Sequence, residues 1–194
     1  MLFDLPERPS VAVAGSADRF PVNRIFCVAR NYAAHAREMG FDVEKGTPSF
    51  FTKTPSAICP SGSTIPYPPG TENCHYEMEL VVAIGAPGFR VSEAEAGALV
   101  LGYACGLDMT RRDLQFAARD KGLSWDVSKD FEHAAVIAPI TPAARFGPVA
   151  AQRIALSQNG TVRQDATLAE LIFTIPELIA WLSRFYHLQP GDPI

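Results

Sequence analysis

The chain is poor in cysteine. Cys27, Cys59, Cys74 and Cys105 are scattered through 194 residues with no CxxC pair. Four such residues are too few to staple a chain of this length, and they are not spaced like zinc ligands. Small buried thiols in a reducing cytoplasm are the expectation. No stretch approaches the roughly 20 apolar residues of a membrane span. Residues 1–8 lack the basic start and apolar run of a secretory signal. There is no Lys/Arg cluster, and the net charge of −4 speaks against a nucleic-acid binder. A GxSxG elbow is also missing, so Ser-His-Asp catalysis has no support. No internal repeat, low-complexity stretch or linker divides the chain.

What remains is an ordinary globular composition, 47% hydrophobic and 20% charged, long enough for one domain with a real core. Sixteen prolines and fourteen glycines, spread throughout, point to many short elements with firm turns. Residues 24–29, 49–53, 74–85, 100–108 and 135–138 read as strands. The glycines of the fourth, Gly102 and Gly106, permit close backbone approach. Asn159-Gly160 between two alternating runs is a hairpin signal, because both turn positions need positive φ. Helices are expected from Asn31 to Gly40, after Ser92 with its Glu95 capping box, after Thr110 with Asp113 and ending near Gly122, and after Thr167 and Thr174, each with a Glu three residues on. Ile175, Leu178, Ile179, Leu182 and Phe185 mark one apolar helical face. The fold class is α+β and β-rich, with residues 1–22 as an N-terminal segment and 23–194 as the domain.

The segment Cys74-His75-Tyr76-Glu77-Met78-Glu79-Leu80-Val81-Val82-Ala83-Ile84 carries the most information. As a strand it puts Glu77 and Glu79 on one face, while its second half is apolar like a strand buried on both sides. Two carboxylates beside a buried strand cost several kcal/mol unless positive charge meets them. A hard divalent cation would do so; two solvated acids on an edge strand is the other reading. Asp108, at a strand end, completes a third carboxylate, or simply enters the next helix. His35 and Glu38, at i and i+3, share a helix face. They form either a general-base dyad or a surface pair. Lys53 and Lys129 either hold carboxylates or are solvated. Arg111 and Arg112 open a helix against its dipole, which favours one of them binding an anion.

Taken together, these residues resemble the fumarylacetoacetate hydrolase family, and most closely its acylpyruvate-cleaving branch. The pattern GRNYxxH is matched by Ala29-Arg30-Asn31-Tyr32-Ala33-Ala34-His35, with alanine in place of the first glycine. HxExE is matched by His75-Tyr76-Glu77-Met78-Glu79. GYxxxxDxTxRD is matched by Gly102-Tyr103 through Asp108, Thr110, Arg112 and Asp113. Residues 65–73 and 122–129, and the Asn159-Gly160 hairpin with Arg163-Gln164, look similar too. The likeness runs from about Arg24 to the end.

The resemblance implies a mixed β-sandwich roll with short peripheral helices, usually a homodimer. It implies Glu77, Glu79 and Asp108 as ligands of Mg2+ or Mn2+, His35 and Glu38 as the pair activating water, and Lys129 as the residue steadying an oxo-acid enolate. Arg30, Lys53, Arg112 and Gln115 fall at substrate-contact positions. The family continues beyond Pro190-Gly191-Asp192 into further strands and a closing loop. A C-terminally incomplete roll with an unpaired edge is therefore expected. The implied activity is hydrolysis of a carbon–carbon bond in an acylpyruvate, fumarylpyruvate above all, in the cytoplasm. Two alternatives stand beside it: an oxaloacetate decarboxylase or oxo-acid isomerase or hydratase of the same family, and an inactive fragment or metal-binding interaction module.

Overall fold

A computed structural model describes residues 2, 4, 6–32 and 45–194. Eleven strands are found among them: β1 (Ser10–Ala12), β2 (Arg19–Pro21), β3 (Ile25–Ala29), β4 (Ser49–Lys53), β5 (Ile58–Pro60), β6 (Cys74–Ile84), β7 (Val100–Arg111), β8 (Ala135–Ile137), β9 (Thr141–Pro142), β10 (Arg153–Gln158) and β11 (Thr161–Thr167). The helices are short: α1 (Glu93–Ala96), α2 (Arg112–Asp120), α3 (Asp126–Lys129), α4 (Ala143–Phe146) and α5 (Ile175–Leu182). The main sheet runs β5-β8-β7-β6, with β9 also on β7. It is mixed, since β5 and β8 are parallel and the other pairs antiparallel. Three two-stranded ribbons, β1-β2, β3-β4 and β10-β11, pack around it.

The strand period of two sorts β6 and β3 between two cores. Ala83 and Ile25 enter one core with Val11, Phe20, Val22, Ala104, Phe131, Ile137 and Ile140. Val82, Ile84 and Phe26 enter the other with Leu99, Ile175, Ile179, Leu182 and Leu188. Strand β6 is thus buried on both faces at its C-terminal end, as its apolar run predicts. Its edge there is taken up by the chain's last residues: Ile84 N–H donates to Asp192 O (3.0 Å), and Val82 and Ile194 exchange bonds of 2.8 and 2.9 Å. At Gly106 a Cβ would lie 2.7 Å from Val81 Cγ2, and at Gly102 one would lie 2.3 Å from Thr141 O. Close approach is what these glycines provide.

The α+β class, the strands and the Asn159-Gly160 turn, with φ of 51° and 79°, stand as expected. Four details differ. Thr110 does not cap α2. The strand runs on to Arg111, Thr110 stays in it with its hydroxyl on Asp108 O (3.1 Å), and the Asp113 carboxylate takes the Thr71 hydroxyl and the Glu72 N–H. Helix α5 ends at Leu182, so Phe185 leaves the apolar face and is exposed. The Thr167–Glu170 box caps a single 3-10 turn. The cysteines are free, as expected; Cys59 is buried, Cys27 and Cys74 are partly covered, and the alternation of β7 turns Cys105 to the surface. The helix expected from Asn31 to Gly40 lies largely outside the described residues, as do His35 and Glu38.

Candidate metal and oxo-acid site

The antiparallel register of β6 and β7 sets Glu77 directly opposite Asp108, and Glu79 opposite Gly106. Residues paired or two apart in such a ladder share a face. Three carboxylates from two strands therefore meet on one side of the main sheet, just beyond the first core. The helical turn α3 follows Trp125, whose carbonyl accepts the Ser128 hydroxyl (2.7 Å), and delivers Lys129 to the same spot. Lys129 Nζ lies 2.6 Å from Glu77 Oε2, 2.6 Å from Asp108 Oδ2 and 2.7 Å from Thr110 Oγ1. Lys53 arrives from β4 and reaches Asp108 Oδ1 (2.9 Å), the Lys129 carbonyl and, at 3.3 Å, the Met109 carbonyl. Arg112, opening α2, pairs with Glu77 Oε1 (2.6 Å), Gln115 Oε1 (2.7 Å) and His75 Nδ1 (3.3 Å).

Lys129 is 2% exposed, Lys53 3%, Arg112 3% and Glu77 5%, so these are interior ion pairs rather than a solvated surface cluster. Breaking one side of such a network leaves an uncompensated charge and costs several kcal/mol. Burial works against charge on Asp108, but Lys129 and then Lys53 hold its carboxyl below the ordinary range. Burial likewise opposes the Lys129 ammonium, and Asp108 and Glu77 outweigh it, keeping the amine charged. Among the described residues Glu79 makes no ion pair of its own, and Lys129 offsets the repulsion on it only in part. Burial, then Glu77 and Asp108, push its carboxyl up to about 8.

That asymmetry bears on whether the site suits a metal. The donors are hard oxygens, three carboxylates on one face, and the excess repulsion falls on Glu79. A divalent cation answers all of these. As the side chains stand, no three His, Cys, Asp or Glu groups among the described residues close around one point. Glu77 and Asp108 turn toward Lys129 instead. The backbone register fits the cation, and Lys129 supplies positive charge to two of its three donors.

A cavity opens on this cluster. Arg30, Lys53, Glu77, Glu79, Asp108, Gln115 and Lys129, all singled out in the sequence, line it, and Arg112 stands behind Glu77. Cys27, Phe51, Trp125 and Tyr32 line it too and are not among the sequence candidates. Phe51 was within reach of the strand period, two residues from Lys53, and Cys27 is its register partner on β3. Burial, then Asp108, drive the Cys27 thiol well above its ordinary range, so it is a neutral wall of the cavity. Thr110, whose spacing to Asp113 predicts a cap, is instead an acceptor for Lys129. Tyr32 carries no local signal apart from the motif around it.

The family model described as "Fumarylacetoacetate (FAA) hydrolase C-terminal" matches residues 24–194. The chain belongs to the fumarylacetoacetate hydrolase family. Among curated members it is 54% identical over 159 residues to a fumarylpyruvate hydrolase from Ralstonia sp, covering 80% of this chain and 82% of that one. It is 39% identical over 170 residues to a mitochondrial oxaloacetate tautomerase of Rattus norvegicus, covering 88% and 76%. Among solved structures, a fumarylpyruvate hydrolase from Pseudomonas aeruginosa in complex with Mn2+ and pyruvate superposes with a TM-score of 0.94 at 46% identity, over 100% of this chain and 84% of that one. The mixed sheets with short helices are thus this family's fold.

Proposed function

We propose that this family member is a metal-dependent hydrolase that cleaves a carbon–carbon bond in an acylpyruvate, with fumarylpyruvate the favoured substrate, giving pyruvate and a carboxylic acid. The observation that carries the reading is the meeting of Glu77, Glu79 and Asp108 on one sheet face beside the buried Lys129. The 54% identity to a fumarylpyruvate hydrolase supports the acyl group. Glu77, Glu79 and Asp108 would hold Mn2+ or Mg2+, which when bound supplies Lewis-acid chemistry and orientation to a 2-oxo acid. Lys129 places a fixed positive charge where an enolate develops, buried at 2% exposure, where such a charge acts strongly. Arg30, Lys53, Arg112 and Gln115 make the surround cationic and hydrogen-bonding, suited to an anionic substrate. His35, with Glu38 as its partner by family resemblance, is the proposed base that takes a proton from the water adding to the acyl carbonyl. The carbon–carbon bond then breaks, its electron pair passes to the pyruvate fragment, and a proton completes pyruvate. A homodimer in the cytoplasm is the setting in which we place the enzyme.

Relatives that act as oxaloacetate tautomerases define the competing activity. The test is a side-by-side assay of fumarylpyruvate and oxaloacetate with Mn2+, before and after chelation. Pyruvate release from fumarylpyruvate, abolished by chelator and faster than any turnover of oxaloacetate, is the expected result. Turnover of oxaloacetate alone would transfer the assignment to the other branch.

A further inference from the structure

Tyr32 presents a buried polar group that none of the described residues uses. Its hydroxyl oxygen is sealed from solvent and has no hydrogen-bond partner among the described residues. The backbone around it is tied down: Tyr32 bridges to Leu171, and the Asn31 side chain grips Phe173 at both ends, accepting its N–H (2.8 Å) and donating to its carbonyl (3.1 Å). The Asn31 carbonyl accepts the Ile172 N–H as well (2.9 Å). Tyr32 is therefore held in one place while its phenol lines the cavity that Glu79 and Lys129 share. Burial, then Glu79 and Glu170, push the phenol up to about 12, so it keeps its proton and can donate. A sealed donor without an acceptor is costly to a folded protein, and such groups concentrate where a ligand completes them.

We propose that Tyr32 is a substrate-contact residue, its hydroxyl donating a hydrogen bond to an oxygen of the oxo-acid anion held beside Glu79. This rests on the metal and oxo-acid reading of the site. It predicts a separation between stability and binding that a structural tyrosine would not show. Tyr32→Phe removes only the oxygen. The melting temperature of the metal-free variant should equal or exceed that of the parent, because an unmet buried donor is gone. Mn2+ affinity measured without oxo acid should be unchanged. Affinity of the Mn2+-loaded protein for pyruvate, measured by calorimetry, should fall roughly 10- to 100-fold, the range for a hydrogen bond to a charged partner. Unchanged pyruvate affinity, with the parent binding normally, would overturn the Tyr32 assignment alone. A lowered melting temperature in Tyr32→Phe would also overturn it, by showing that the hydroxyl has a structural partner. Failure of the parent to bind pyruvate with Mn2+ would instead remove the underlying reading of the site, and this inference with it.

Discussion

Charge at single residues decides how the site behaves before any ligand arrives. Three cations, Lys53, Arg112 and Lys129, face three carboxylates, yet their contacts go to Glu77 and Asp108 and leave Glu79 to bear the repulsion. A carboxyl whose pKa is higher folded than unfolded keeps its proton in the native state while the unfolded chain has already lost it. The native state then binds more protons between the two values, and stability falls as pH rises through that window. For Glu79 the window runs from its ordinary 4.5 to about 8. Thermal melts of the metal-free protein should therefore show declining stability from about pH 4.5 and a levelling above about pH 8. Glu79→Gln, which cannot ionise, should flatten that decline. A parent profile that climbs over the same range would refute the charge assignment.

At the scale of elements, the question is what fixes an edge strand accurately enough to carry two functional carboxylates. Strand β6 has β7 on one side; between Glu77 and Glu79 its other side is met by side chains from the hairpin β10-β11. Gln164 Oε1 accepts the Met78 N–H at 2.7 Å, and the Tyr76 hydroxyl donates to Gln158 Oε1 at 2.5 Å. Met78 sits between the two glutamates, so the Gln164 amide positions both. Supporting contacts of this kind are worth about 10- to 100-fold in metal affinity. Gln164→Ala should weaken Mn2+ binding within that range, whereas Gln158→Ala, whose exposed bond is to the side chain of a residue adjoining only Glu77, should weaken it less. Equal binding by both variants and the parent, read by calorimetry, would make the hairpin a mere cover.

Across the whole molecule, the readable parts of the sequence were those governed by short-range periodicity. Glu77 and Glu79 show their shared face by spacing, and the apolar run after them shows a strand with two buried sides. Asn159-Gly160 declares its turn through the positive φ it requires. What spacing does not reveal is which strands become neighbours. That Asp108 faces Glu77, that Lys129 reaches both, and that Lys53 spans from β4 to the Lys129 carbonyl are long-range facts set by packing. The family resemblance grouped Asp108 with Glu77 and Glu79, and the residue reading allowed Lys53 and Lys129 to hold carboxylates, but neither gave these particular contacts. At Thr110 the S/T-x-x-D/E pattern is a local signal, and the ladder between β6 and β7 overrides it by carrying the strand on to Arg111. Phe185 was misread because a helical periodicity continues on paper beyond the point at which α5 stops at Leu182.

Carboxylates from two separate strands must act as one metal site for the proposed chemistry to hold. Titration of the metal-free protein with Mn2+, followed by electron paramagnetic resonance, tests that directly. The predicted result is one Mn2+ bound per chain, with affinity reduced about 100-fold or more by Asp108→Asn and equally by Glu77→Gln, since each removes a charged donor from the same ion. Undiminished binding in Asp108→Asn, alongside loss in Glu77→Gln, would contradict it: the two strands would then not share an ion.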